Sequence, residues 1–358
     1  MKKTVHINFF NRVSFLDTLL FTKHLSVLVK SGIPLKEAIE SVGEESKNKT
    51  FRRVIAGVLK DIENGQTLYN ALSKYPQIFN PFYISLVKIS EESGNLDKNL
   101  DYLADQLKRS YEFKKKIQSA LLYPEIVLGV TVVAGAGISV FVLPKLIDLF
   151  SSLDVKLPLA TQILLFVAAT MRDFGILILT GAIILLTLFR LLIQIPKIKK
   201  KWQAFLLWLP VLGTFNANIQ LSQLCRNMGI MLKSGLPITT AISVQISATD
   251  NLIYRQYLRE ILKGIEKGHQ ISQVLLSHKF KHIPGIFEKI IAGGEKSGKL
   301  DESFLYLGDF FEEDVDTTSK NLPALLEPIM LIVISLVVAF VALAIISPIY
   351  EFTSSIKR

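Results

Sequence analysis

A single cysteine, Cys225, stands in a chain of 358 residues. No disulfide can close within it, and no Cys-x-x-Cys pair is present to hold a metal, which fits a reducing compartment. Histidine is scarce as well: His6, His24, His269, His278 and His282 are scattered along the chain. His278 and His282 have the i, i+4 spacing of zinc ligands on a helix. Pro284 follows at once, however, and no third ligand is near. No paired carboxylates and no Ser/His/Asp set can be picked out. Sustained period-2 alternation bounded by turn residues is also missing, so strands are not expected. The N-terminal MKKTVHINFFNRVSF is broken by Asn8, Asn11 and Arg12 and lacks the continuous apolar core of a secretory signal. These absences leave catalysis, metal binding and signal-directed export without their residues, and no cofactor is expected.

What is present in quantity is apolar surface. Half the residues are hydrophobic, and mean hydropathy is +0.38. Three runs account for it: residues 126–143, 174–195 and 328–350. Each approaches the roughly 20 residues with which a helix crosses a ~30 Å hydrocarbon core. Arg190, near one end of the second, can snorkel. No Asp, Glu, Lys or His lies within the three, so an ion relay has nothing to use. The net charge of +10 is explained by placement rather than by nucleic acid, for which no binding is expected. Lys108, Arg109, Lys114, Lys115 and Lys116 precede the first run, and Lys197, Lys199, Lys200 and Lys201 follow the second. The loop between them balances Lys145, Lys156 and Arg172 against Asp148, Asp154 and Asp173. That asymmetry puts both basic clusters in the cytoplasm, facing the anionic leaflet, and the loop outside.

An internal repeat organises the chain. LVKSGIP at 28–34 returns as MLKSGLP at 231–237, and IENG at 62–65 as IEKG at 265–268. EESGNLD at 91–97 returns as EKSGKLD at 295–301, ALLYP at 120–124 as ALLEP at 324–328, and Pro144 as Pro348. The offset is 203, rising to 204 after one inserted residue between about 276 and 293. Each copy is a polar domain followed by a membrane helix, and residues 174–195 supply the return pass that puts both domains on one side. In the first copy, Leu16, Leu19, Leu20 and Val27 step around one apolar helical face. Gly32 suits a left-handed helix end, and Pro34 the first turn of the next helix.

The expected fold is therefore an all-α membrane protein with two repeated cytoplasmic helical bundles and three transmembrane helices. Residues 1–120 form the first cytoplasmic domain, 121–144 the first span, 145–173 an external loop and 174–195 the second span. Residues 196–325 form the second domain, 326–349 the third span and 350–358 an external tail.

GGEKSGKL at 293–300 is one residue short of a phosphate-binding loop, with Leu300 where a hydroxyl should be. The lead-in places Phe287, Ile290 and Ile291 at helical rather than strand spacing. The first copy replaces Gly293, Gly294, Lys296 and Lys299 by Ile89, Ser90, Glu92 and Asn95. What both copies share is E-x-S-G-x-L-D: Glu91/Glu295, Ser93/Ser297, Gly94/Gly298, Leu96/Leu300 and Asp97/Asp301. The expectation is a helix C-cap glycine followed by another helix. Gly32, Gly94, Gly235 and Gly298 are expected to fix inter-helix angles. The acidic residues Glu91, Glu92 and Glu295 are either solvated flanks of the turn, part of a partner-docking surface, or a weak cation site.

With K-S-G-[IL]-P, I-E-x-G, E-x-S-G-x-L-D and A-L-L-x-P all present twice, the chain resembles the inner-membrane platform proteins of type II secretion and type IV pilus machines, the type II secretion F family. VLPKLIDLF followed by LPLAT at 157–161 adds to the likeness, which covers about residues 14 to 352. Many members carry a longer leader before the first repeat than the some fifteen residues here. The resemblance implies a non-enzymatic, multi-pass inner-membrane scaffold with a cytoplasmic N-terminus. It also implies as partners a hexameric assembly ATPase, pilins or pseudopilins, other inner-membrane assembly proteins and the lipid bilayer, with homo-oligomers expected. Structural or docking roles fall on Gly32, Pro34, Glu91, Gly94, Leu96, Gly235, Pro237, Glu295, Gly298 and Leu300. The other readings are a small membrane transporter and a membrane-bound nucleotide hydrolase using the 293–300 loop.

Overall fold

The computed structural model describes residues 13–137 and 187–356, with isolated positions between 162 and 185. Every regular element among these residues is an α-helix. The first copy runs α1 (Phe15–Lys30), α2 (Leu35–Glu45), α3 (Lys49–Glu63), α4 (Leu68–Leu72), α5 (Pro81–Ser93) and α6 (Leu96–Gly137). After α7 (Pro196–Trp208), the second copy runs α8 (Leu212–Lys233), α9 (Ile238–Ala248), α10 (Leu252–Glu266), α11 (Ile271–His278), α12 (Gly285–Ser297) and α13 (Leu300–Ile356). The repeat read from the sequence is thus a repeat of six helices.

Local chemistry sets the helix starts. Ser14 and Asp17 form a reciprocal capping box on α1, and Asn48, Thr67, Asn80 and Asn251 each accept from backbone amides at the starts of α3, α4, α5 and α10. Pro34 and Pro237 stand one residue earlier than expected, at the N-caps of α2 and α9. Their carbonyls accept the first helical bonds, from Ala38 and Ala241, at 2.9 Å each.

The chain divides into two compact units, one from residues 1–115 and 200–316, the other from 116–199 and 317–358. The first holds both helical repeats as far as the N-terminal parts of α6 and α13, around a continuous apolar core. In it, Thr22 Oγ1 donates to the Thr18 carbonyl and shares a hydrogen bond of 3.0 Å with the Tyr83 hydroxyl, deep in the first copy. The same two positions in the second copy are Cys225 and Phe287, both buried. The hydroxyl pair and the apolar pair are alternative solutions to one packing site, since a Tyr83 hydroxyl without Thr22 would lose its partner. Burial pushes the Cys225 thiol well above its ordinary pKa, which makes it a packing group rather than a nucleophile.

The apolar face expected on α1 is not the one that packs. Leu19 is buried, but Leu16, Leu20 and Val27 are 38%, 43% and 56% exposed. The buried stripe is Thr18, Phe21, Thr22, Leu25 and Ser26. Hydroxyls that bond back to the preceding turn, as that of Thr22 does, can face a core at little cost, and simple apolar counting passes over them.

In the second unit the described side chains are mostly apolar and exposed: Val130 is 64% exposed, Val133 72%, Phe166 73%, Ile184 65% and Leu336 65%. Among the described residues no single helix is long and apolar enough to cross a membrane. Only α7 and α8 together pass by length and composition, and they are bent by 113°. At the bend Val211 has φ 63°, and Gly213 lies so close to the Leu207 carbonyl that a Cβ would sit 2.4 Å from its oxygen. The apolar face of α8 is used in the bundle, where Leu221, Leu224, Met228 and Met231 are buried. Of the expected spans, residues 138–144, much of 174–195 and many side chains of 326–349 lie outside the described residues. So do residues 1–12, nearly all of the 145–173 loop, and the tail from 357.

Candidate functional site

The shared E-x-S-G-x-L-D segment is a joint between two helices in each copy. Helix α5 ends at Gly94 with φ 69°, and α12 ends at Gly298 with φ 70°, the left-handed cap that suits glycine. Leu96 and Leu300 open α6 and α13 and pack against the core, with Asp97 and Asp301 in the first turns. Gly32 and Gly235, at φ 82° and 90°, serve the earlier joint. There, Ile33 N–H donates to the Leu28 carbonyl and Leu236 N–H to that of Met231, the six-to-one bond of a Schellman end.

The two shared glutamates do more than flank the turn. Glu91 accepts from the backbone amides of Leu68 and Tyr69, at 2.6 and 2.8 Å. Glu295 accepts from those of Ile271 and Ser272, at 2.5 and 2.9 Å. Each carboxylate therefore holds the first two amides of the short helix that begins about 23 residues upstream, α4 or α11. Those amides have no partner within the helix, and the helix dipole favours an anion at this end. A cation at Glu91 or Glu295 would compete with two amides and with the positive end of a helix. Glu92 lies outside this arrangement, exposed and 3.7 Å from Lys88.

A phosphate loop needs amides free to point at its ligand. In 293–300, Gly293 and Gly294 are inside α12, and the amides of Gly298 and Lys299 donate to the carbonyls of Glu295 and Gly294. The ammonium of Lys299 reaches Glu302 at 3.1 Å and is exposed. The histidine pair does not share a helix: α11 ends at His278, and the ring of His278 contacts Ser277 and the Val274 carbonyl. Among the described residues no group of three His, Cys, Asp or Glu could hold a metal ion.

The three glycines of this stretch should respond to alanine with different signs. A Cβ on Gly293 meets nothing within 4 Å, so Gly293→Ala gains helix propensity, about 0.5–1 kcal/mol. Gly298→Ala is expected to lose about 1 kcal/mol or more because of its positive φ. Gly294→Ala would put Cβ 2.3 Å from the Ser303 hydroxyl and should also destabilise. Thermal melts of the three variants check the order.

One buried polar group lies outside everything the motifs pointed to. Arg226, 7% exposed, donates through Nη2 to Asp309 at 2.6 Å and to Glu312 at 2.5 Å, tying α8 to α13. Burial lowers its pKa, but the hydrogen bond to Asp309 and the charge of Glu312 outweigh it and hold the pKa above the ordinary value. The same helices touch closely at Gly229, where a Cβ would lie 2.7 Å from Leu305 Cγ. The first copy has Lys23, Asp105 and Lys108 at the three charged positions, so the repeat gave no signal for the cluster.

A sequence model of the family described as "Type II secretion system (T2SS), protein F" matches residues 21–144 and again 224–348, the two copies of the helical repeat. Type II secretion system protein F of Vibrio cholerae is 28% identical over 346 residues, covering 97% of this chain and 85% of the relative. Type IV pilus assembly protein PilC of Thermus thermophilus is 28% identical over 345 residues, covering 95% and 84%. Type II secretion system protein F of Xanthomonas campestris pv. campestris is 30% identical over 337 residues, covering 94% and 82%.

Proposed function

The chain belongs to the type II secretion system protein F family, and from that membership we propose that it is the inner-membrane platform of a type IV pilus or type II secretion machine. The observation that carries this is the double match of the family to the two six-helix copies, with a relative aligned along 97% of the chain. In this reading residues 121–144, 174–195 and 326–349 cross the bilayer, and both bundles face the cytoplasm. Exposed apolar side chains among the described residues of the second unit support it, since soluble proteins seldom leave such surfaces uncovered. So does the basic flank on each side of the polar loop.

The platform passes the work of a separate cytoplasmic assembly ATPase to pilins or pseudopilins, and itself carries out no chemistry. Support for that division comes from the 293–300 segment, whose glycines and amides serve helix structure. Deleting the gene should remove surface fibres, or pseudopilus-dependent export, while pilin or pseudopilin stays in the membrane. Wild-type gene in trans should restore them. Unchanged fibres and export in the deletion strain would refute the platform role.

A further inference from the structure

One of the contacts between the two copies is made in one direction only. Helix α5 of the first copy packs on α9 of the second. The corresponding pair, α12 of the second copy and α2 of the first, has no such packing within the chain. An exact two-fold between the copies would bring α12 onto its own α2. It does not, so this half of the pairing is left open within the chain.

Differences in exposure between the copies mark the faces involved. On α5, Phe82 is buried and Ser85 and Ile89 are half-buried, whereas their counterparts Ile286, Lys289 and Gly293 on α12 are exposed. On α9, Val244 and Ala248 are half-buried, whereas Ser41 and Glu45 on α2 are exposed. The open faces also differ from the closed ones in charge. Around Gly293, α12 carries Lys289 and Lys296; around Ser41, α2 carries Glu37 and Glu44, all four exposed. The counterparts of these four in the paired helices are Ser85, Glu92, Thr240 and Ser247, which offer no opposite charges across the contact. Each charged pair is seven residues apart, or about 10.5 Å along a helix, so two ion pairs can form in register. Among the described residues none of the four forms an ion pair within the chain. Gly293, where added atoms would meet nothing, lets the partner helix approach closely.

We propose that α12 of one copy of this protein packs on α2 of the next, repeating between chains the α5–α9 contact made within one. Such a contact is head-to-tail, and it closes into a ring if its rotation closes. Membrane spans, where the platform reading supplies them, would hold the ring axis along the bilayer normal.

The test uses the full chain, purified in detergent. Ser41→Cys with Gly293→Cys should give, on mild oxidation, a ladder of cross-linked species larger than dimers. Buried Cys225 serves in the wild type as the control. Lys289→Glu with Lys296→Glu should weaken self-association at least tenfold by native mass measurement, as should Glu37→Lys with Glu44→Lys. Mixing these two charge-reversed proteins should restore association, and unchanged helical circular dichroism shows each is folded. Cross-linking that stops at dimers, or that forms within one chain, would overturn the proposal. So would charge reversals that leave association unchanged, or a mixture that fails to rescue it. Fibre assembly plays no part in these readouts, so failure here leaves the platform reading standing, and failure of that reading leaves the contact standing.

Discussion

Glu295→Ala is expected to destabilise the second copy by about 2–3 kcal/mol, the cost of removing a charged acceptor from two amides that have no other partner. For a unit of this size that corresponds to roughly 5–10 °C in melting temperature. The loss should spread beyond the joint, because the carboxylate ties the end of α12 to the start of α11 across 23 residues of chain. Glu295→Gln keeps an oxygen that can accept one bond and should lose about half as much. Glu91→Ala should behave the same way in the first copy, through Leu68 and Tyr69. Glu92→Ala should change stability by less than about 0.5 kcal/mol, as expected for an exposed surface pair. Thermal melts of the purified chain separate the cases; equal effects at Glu91 and Glu92 would remove the capping role.

The second large effect is expected at Arg226. Arg226→Ala leaves Glu312, whose side chain is 24% exposed, without its cation and opens the space filled by the guanidinium stem. A loss of about 3 kcal/mol follows, at the low end for breaking a buried ion pair because Asp309 is 65% exposed and can turn to water. Arg226→Lys keeps the charge but has a shorter reach than the Nη2 that makes both bonds and lacks the guanidinium that fills the site, and should lose about 1–2 kcal/mol. Adding Glu312→Gln to Arg226→Ala should recover part of the loss, since the stranded charge goes with it. Urea titrations of the wild type, Arg226→Ala, Glu312→Gln and the double variant measure this directly, and strict additivity would contradict the coupling.

How far these features were legible in the sequence depended on how local their causes are. Helix ends follow from nearest neighbours, so Gly94 and Gly298 could be read as caps directly. The repeat supplied the domain plan because matched blocks at one offset need no knowledge of packing. The role of Glu91 and Glu295 could not be read, because their partners are backbone amides more than 20 residues away and any residue type can offer those. Their one signal was persistence beside a position that changes from Glu92 to Lys296. The buried face of α1 was misread because Thr18, Thr22 and Ser26 count as polar in a pattern yet are small enough to pack inside, and the Thr22 hydroxyl is satisfied by the Thr18 carbonyl and by Tyr83. Arg226 was silent for the opposite reason: its three-residue cluster belongs to one copy alone.

The platform reading makes the 293–300 segment a joint and puts nucleotide chemistry in another protein. The most direct measurement is fibre assembly, or export, in a deletion strain complemented in parallel with Lys299→Ala and Glu295→Ala, with membrane levels of each variant followed by immunoblot. Lys299→Ala should restore assembly fully, since its exposed ammonium pairs with Glu302 at the surface, whereas Glu295→Ala should fail. Loss of assembly by Lys299→Ala at normal protein levels would contradict the joint and return the segment to a phosphate-binding role.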